Sequence, residues 1–473
     1  MKKFVSLAIA GALALGTLNV FAACKQEENP TPSPTPDPGN QSELPSDLPV
    51  YAPLSDPIKD GIFTAIFGDP AQITSEAYKD VKDCNIRYVF LDGWYGTSSA
   101  EKRIAAMEKC AENGLKAYVM PNNTHDNIRD GIDNVSFEDF DGDVDYTQYP
   151  AFAGYYMFDE PARTQYDWLS ADLDKWNAHE KYKNYDYLVN MMYGDGTSDF
   201  DTYITEYGDK VLSKNKEKKL MYDYYPLEAD IDEKAVPYLG KNWLKSLEDF
   251  SRAALKYNAK LCTYIQTLSY NFGKQRAPQS VEDIRFQCAV NMAYGSVGLE
   301  CFTYLTFSNS GFGDSMVGQS GEKTPIYYYV QQTFGEILAW ENVYMAFDYQ
   351  GTMAKYGTAT GYGTQSKDHI GSLTYAMEAH PAIKSIANER DTLIGAFKDQ
   401  NGNDGFLITT YADPYYRKTN TISVEFNGAS RALIYKNGGL LTNDESGKCY
   451  LLENGKLNLT LNAGDMIFAI PVK

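Results

Sequence analysis

The sequence predicts an α/β fold, a (β/α)8 TIM barrel followed by a small C-terminal β-sandwich, and three observations carry that prediction. From about Gly61, short apolar runs of strand type alternate with longer amphipathic stretches, and eight such runs occur before residue 345. After about residue 390 the amphipathic stretches stop, and strand runs alternate with turns rich in Asn and Gly. The first strand leads into Gly68-Asp69-Pro70, which is not the Gly-rich phosphate turn expected of the alternative, an open doubly wound sheet.

Taken in order, the chain begins with Lys2 and Lys3 ahead of an apolar run from Phe4 to Ala23, the layout of an export signal. That run is short, and wrongly flanked, for a permanent spanning helix. Residues 24–53 alternate Pro with Thr, Ser, Asp and Glu, a composition that buries too little apolar surface to fold. It is expected to be an extended tether of roughly 3 Å per residue.

The barrel is expected over 54–345, with strands at 62–67, 86–91, 115–120, 152–158, 187–192, 219–224, 260–266 and 298–304. Helical segments lie between them. In 100–113, Ile104, Met107 and Cys110 share a stripe and Gly114 supplies the stop; a last amphipathic stretch runs from 327 to about 341. The sandwich, 346–473, is expected from strands at 392–399, 405–411, 421–426, 431–435 and 457–461.

Composition excludes several classes of function. The formal charge of −20 becomes −22 once Lys2 and Lys3 are removed, and the one basic cluster, 214–219, reads as a solvated loop or helix end. Nucleic acid is therefore not an expected partner. The seven cysteines show no C-x-x-C spacing, and four histidines are too few for a His-rich metal site. The six cysteines after Cys24 fall largely in apolar runs and are expected as buried free thiols. The acidic run 139–145 has a misplaced Gly for a calcium loop and no closing Glu, so it reads as a solvated loop. No cofactor is expected.

Within the predicted barrel the most telling segment is 151–161, Ala-Phe-Ala-Gly-Tyr-Tyr-Met-Phe-Asp-Glu-Pro. Pro161 has no N–H for a ladder, so the fourth strand should end on Asp159 and Glu160. That is the barrel end where catalytic residues gather. The other strands end on Asp69, on Asp92 and Trp94, on Asn122 with His125 beyond, on Tyr193, on Asp223 and Tyr224, on Gln266, and on Tyr304 with Glu300 deeper. Rings beside carboxylates and amides suit sugars, whose C–H faces stack while their hydroxyls need donors and acceptors. Trp94 reads as a stacking platform and His125 as a loop histidine. Asp223 reads equally well as a group that holds the tyrosines around it.

With these residues in view, the barrel from about 61 to 345 resembles the clan-A glycoside hydrolases. The Asp159-Glu160-Pro161 ending, Tyr222-Asp-Tyr-Tyr-Pro226 and Ala293-Tyr-Gly-Ser-Val-Gly298 resemble bacterial glycosidase-like surface lipoproteins. Val20-Phe-Ala-Ala-Cys24 likewise resembles a lipoprotein signal, Phe21 departing from its usual aliphatic residue; the alternative is a plain secretory signal. The resemblance implies lipid on Cys24, export to a bacterial membrane, a carbohydrate substrate, and Glu160 as general acid/base. Asp159 stands where the family usually has Asn, and Gln266 where a retaining enzyme needs its nucleophilic carboxylate.

Three readings follow. Asp223 activates water opposite Glu160, with inversion if the carboxyls stand about 6.5–9.5 Å apart; or Glu300 is the nucleophile; or the cleft binds glycan without cleaving it. Substrate contacts are expected from Trp94, Asn122, Asp159, Tyr193, Tyr224, Gln266 and Tyr304, with Gln266 as a sugar-binding amide.

Overall fold

The computed structural model describes residues 48–93, 96–121, 135–142, 144–193, 200–229, 236–270, 274–308, 311–359 and 366–473. Eight parallel strands close a barrel: β1 (Phe63–Phe67), β2 (Tyr88–Leu91), β3 (Lys116–Val119), β4 (Phe152–Asp159), β5 (Asp186–Met192), β6 (Lys219–Asp223), β7 (Lys260–Gln266) and β8 (Ser296–Phe302). They run in the order β1-β8-β7-β6-β5-β4-β3-β2 around the wall. All eight predicted strands are present. Several begin one or two residues later than expected, since Ile62 and Ile86 are buried outside the ladder.

Helices α1 (Ser75–Asp83), α2 (Ala100–Glu112), α3 (Tyr166–Ala178), α4 (Phe200–Lys210), α5 (Trp243–Tyr257), α6 (Val281–Ala293) and α7 (Pro325–Leu338) cover the outside. Their ends follow local chemistry. Ser99 caps α2 by accepting from the Lys102 N–H, and Gly114 turns away with φ +66°. Thr324 caps α7, with Pro325 in its first turn, where a missing N–H costs nothing.

Two apolar layers result from strand alternation. Outward side chains such as Val89, Tyr155, Val189 and Ile265 meet the helices. Inward ones fill the barrel with rings, Phe63, Phe67, Tyr88, Phe90, Tyr118, Tyr156 and Tyr264 among them. Near the floor Lys219 pairs with Asp186, which also accepts from the Tyr118 hydroxyl.

The C-terminal domain is a β-sandwich. One sheet contains β9 (Phe347–Lys355), β11 (Thr392–Asp399), β12 (Asp404–Thr410), β14 (Arg431–Lys436), β15 (Gly439–Leu441), β16 (Tyr450–Leu451) and β18 (Met466–Val472). The other contains β10 (Ile383–Asn388), β13 (Thr419–Phe426) and β17 (Lys456–Asn462). Ile394, Ile408, Ile422, Val424, Leu461 and Ile467 form the core between them. Strand β18, between β12 and β14, is absent from the sequence expectation because its run Met-Ile-Phe-Ala-Ile-Pro-Val lacks the alternation that marks a half-buried strand.

The described residues, from 48 onward, belong to one compact unit. Arg276, in the loop after β7, bonds Asp283 at 2.9 Å and Asp413 of the sandwich at 2.8 Å, all three buried. The six cysteines from Cys84 to Cys449 are unbridged and buried. Among the described residues, no helix is long and apolar enough to cross a membrane.

Candidate active site

The site is built on β4, β5 and β6. A register shift between Tyr156 and Phe158 marks a bulge in β4, and one extra residue reverses which face later side chains meet. Tyr156 and Asp159 consequently share the inner face, where the Tyr156 hydroxyl donates to Asp159 Oδ1 at 2.8 Å. Tyr155 and Phe158 point outward instead, packing on Trp176 at 5.5 Å and Trp168 at 6.2 Å. Glu160 itself has φ +55°, a left-handed conformation rare outside glycine, with its N–H bonded to the Asn190 carbonyl at 2.9 Å.

Asn190, from the middle of β5, ties the carboxyls together. Its side-chain amide donates to Asp159 Oδ1 at 2.9 Å and to Asp223 Oδ1 at 3.4 Å. Asp223, the last residue of β6, is one of the two acidic neighbours that oppose ionisation of Glu160. All three carboxyls are only part-exposed. Burial, then Asp223, then Asp159 push Glu160 up to about 10. Burial and Asp159 push Asp223 up to about 7, against hydrogen bonds from Tyr225 and Asn190 that lower it. Three acids brought together at the ends of β4 and β6 cannot all ionise, so a proton is retained among them at neutral pH.

Rings flank the acids on two sides. Tyr193 and Tyr224, both part-exposed, meet edge-on at 6.3 Å, and the Tyr224 hydroxyl accepts from the Asn242 N–H. Across the mouth, Tyr270 lies parallel to Phe302 at 5.9 Å, and Tyr225 and Phe312 complete the wall, at 5.3 and 6.3 Å from Phe302. The arrangement offers flat apolar faces beside acid and amide groups, as a sugar ring requires. Among the described residues, no group of three or more His, Cys, Asp or Glu is placed to hold a metal ion.

Three sequence expectations are corrected. Gln266 is fully buried, and its side chain is committed to backbone: it accepts from Leu227 N–H at 2.9 Å and donates to the Leu227 and Arg276 carbonyls at 3.1 and 2.7 Å. It fastens the loops after β6 and β7 and is not a sugar-binding amide. Glu300 does face the barrel axis but has no accessible surface, so it cannot reach a substrate as nucleophile. Tyr304 lies beyond the end of β8 in the outer core shared with Tyr78 and Cys84, and Phe302 occupies the rim in its place.

Asp223, expected as a base opposite Glu160, stands as one of its two acidic neighbours. Trp94, Asn122, His125 and Cys24 lie outside the described residues.

No family model matches the sequence, and no curated protein matches it. Solved structures similar to the chain include a glycoside hydrolase, at 11% identity and TM-score 0.48 over 87% of this chain and 93% of that one. Another is the GH30 endoxylanase from Clostridium papyrosolvens C71, at 9% identity and TM-score 0.39 over 88% of this chain and 96% of that one. A third is the β-galactosidase from the psychrophilic Marinomonas ef1, at 10% identity and TM-score 0.43; the alignment covers 61% of this chain and 62% of that enzyme's length. The likeness is one of fold.

Several site residues escaped sequence reasoning. Asn190 sits in mid-strand, Asp-Tyr-Leu-Val-Asn-Met-Met, where only its polarity among apolar neighbours marks it. Tyr156 joins Asp159 on the inner face only through the bulge between them, and Tyr270 and Phe312 come from loops that periodicity does not place. Asp69, by contrast, proves structural. It is buried and accepts from the Thr97 hydroxyl at 3.0 Å, which closes the loop after β2 onto β1.

Proposed function

We propose that the chain is a glycoside hydrolase acting on a poly- or oligosaccharide, with Glu160 as the proton donor. The observation that carries this reading is the placement of Glu160. It is a part-exposed acid at the C-terminal end of a barrel strand, with burial and two neighbouring carboxyls pushing it up to about 10 and Tyr270 among its neighbours.

In the proposed reaction the Glu160 O–H gives its proton to the glycosidic oxygen, and the bond from that oxygen to the anomeric carbon breaks with its electron pair going to oxygen. Asp159 and Asp223, when ionised, stabilise the positive charge that develops on the sugar ring. Water then supplies a hydroxyl to the anomeric carbon, and its proton returns to the carboxyl group of Glu160. Tyr270, Phe302, Tyr193 and Tyr224 stack on the sugars beside the cleaved bond.

The same reading includes export and attachment to a bacterial membrane through lipid on Cys24, for which the support is the apolar segment ending in Ala22-Ala23-Cys24. Metabolic labelling with a radioactive fatty acid tests that part. Label retained in Cys24→Ala would defeat it.

The central test is a screen of the folded unit, residues 43–473, against glycans and aryl glycosides, in parallel with Glu160→Gln. Turnover lost in the variant with glycan binding kept supports the hydrolase. Binding without turnover in both proteins leaves a glycan-binding protein on the same scaffold.

A further inference from the structure

A polar chamber lies at the end of the barrel opposite the acids. Its lining includes the first residues of four strands, Phe63 of β1, Tyr88 of β2, Asp186 of β5 and Lys219 of β6, with Tyr118 of β3 and Ala153 of β4 just inside. The chamber measures about 400 Å³, within the range of small-molecule sites, roughly 300–1,000 Å³. The proposed reaction uses none of these residues.

Its hydrogen-bonding capacity is only partly spent. An ammonium group carries three donors, and among the described residues Lys219 reaches one acceptor, Asp186 Oδ2, which also accepts from the Tyr118 hydroxyl. Two Lys219 donors and Asp186 Oδ1 are left side by side. The neighbouring rings are committed only at their edges. The Tyr88 hydroxyl donates to the Ile58 carbonyl at 2.7 Å, the Tyr88 ring lies 4.4 Å from that of Phe63, and the Lys219 ammonium stands 5.6 Å from the Phe63 centroid. Charge around the rim is nearly balanced. Lys260 faces Glu217 at 3.8 Å, exposed Lys59 is matched by exposed Asp56, and Lys116 donates to the Pro150 carbonyl.

We propose that this chamber is a second carbohydrate site, which takes a neutral monosaccharide at the floor of the barrel. Two adjacent hydroxyls of a sugar match the unspent groups: one oxygen accepts from Lys219, and the next O–H donates to Asp186 Oδ1. The C–H face of the sugar then lies on Phe63 and Tyr88. A free carboxylate would meet the Asp186 charge, a free cation would meet Lys219, and an amino acid would have to part the two from each other. A neutral polyol satisfies both and displaces neither. The site goes beyond the hydrolase reading, because it binds sugar whether or not the acids at the other end cleave one.

The test uses free galactose, glucose and xylose, which carry no glycosidic bond to cleave, so its failure is separable from failure of the hydrolase reading. Each is titrated into the folded protein and followed by saturation-transfer NMR and calorimetry, with acetate and glycine as charged controls. Ala153→Leu fills the chamber with carbon, Lys219→Met removes the ammonium donors, and Phe302→Ala alters the opposite end of the barrel. At least one sugar should bind, with affinity about tenfold weaker in Ala153→Leu and in Lys219→Met and unchanged in Phe302→Ala. Lys219→Met strands the Asp186 charge and costs stability, so Ala153→Leu decides the matter where that variant does not fold. Three results overturn the proposal: no binding by any of the three sugars, binding lost in Phe302→Ala but kept in Ala153→Leu, or binding of acetate or glycine in place of sugar.

Discussion

Asp223, at the end of β6, is an acidic neighbour of Glu160, which follows β4, and their different surroundings divide their labour. Asp223 has Tyr225 and Asn190 as donors to its charged form, whereas Glu160 has burial and two negative neighbours against its own. Between about pH 7 and about 10, the proton therefore stays on Glu160 while Asp223 is ionised. A plot of kcat/KM should rise through the lower value and fall through the upper one. Asp223→Asn should remove the rising limb, and an unchanged profile in that variant would separate Asp223 from the reaction.

The same two shifts act on stability. Both folded-state values lie above those of an unfolded chain, near 4, so the folded chain holds protons that the unfolded chain has released. Stability is therefore fullest below about pH 4 as far as this pair is concerned, and is lost as pH rises, first toward 7 for Asp223 and then toward 10 for Glu160. Glu160→Gln should unfold at a higher temperature than wild type at pH 8, by a margin that narrows toward pH 5. Calorimetry over that range gives the answer, and a margin independent of pH would contradict the pairing.

Gln266 tests whether the missing carboxylate can be restored. Its amide makes both a donor and an acceptor bond with the backbone of Leu227, and a carboxylate can replace only the acceptor. Glu in place of Gln266 should therefore add no nucleophile, and should leave a buried charge facing the Leu227 and Arg276 carbonyls. The expected cost is roughly 3–5 kcal/mol in chemical denaturation, as for a buried charge without a partner. Gain of turnover in Gln266→Glu would show that the loop can open and that the position is catalytic after all.

The aromatic wall should govern affinity more than chemistry. Phe302 and Tyr270 lie parallel at 5.9 Å, and Phe302 also touches Tyr225, so truncating it removes a face and loosens two neighbours. Phe302→Ala should raise KM for an oligosaccharide by about tenfold, from ring contacts worth roughly 0.5–1.5 kcal/mol each, while kcat changes little. A fall in kcat at constant KM would place the ring at the reacting centre instead.

How much of this was legible in the sequence depends on the range of the governing interaction. The barrel was legible because strand alternation and helix capping are local, as at Ser99 and Gly114. So was the placement of Glu160, since Pro161 ends a ladder wherever it occurs. What failed was parity across irregularities. The bulge in β4 after Tyr156 puts Tyr156 and Asp159 on one face, and the end of β8 at Phe302 exchanged Tyr304 for the residue two before it. Gln266 was misread for a different reason. Its position on the strand was right, but the backbone groups it satisfies belong to loops at 227 and 276 that only the folded chain brings together.

The backbone at Glu160 supplies the last prediction. Its φ of +55° places a branched chain of ordinary L-residues in a region that costs roughly 1–2 kcal/mol for anything but glycine. The strain is held by the N–H bond to Asn190 and by Pro161, whose ring also restricts the residue before it. Glu160→Gly should relieve the strain and also remove a buried acid, raising stability at pH 7 by about 1–3 kcal/mol while abolishing turnover. Glu160→Gln keeps the strain but removes the proton equilibrium. The difference between these two variants in urea denaturation isolates the conformational part, and it should persist at pH 4, where Glu160 is protonated both in the folded chain and, in large part, in the unfolded one. Equal stabilities of the two variants would mean that the left-handed turn at Glu160 carries no strain.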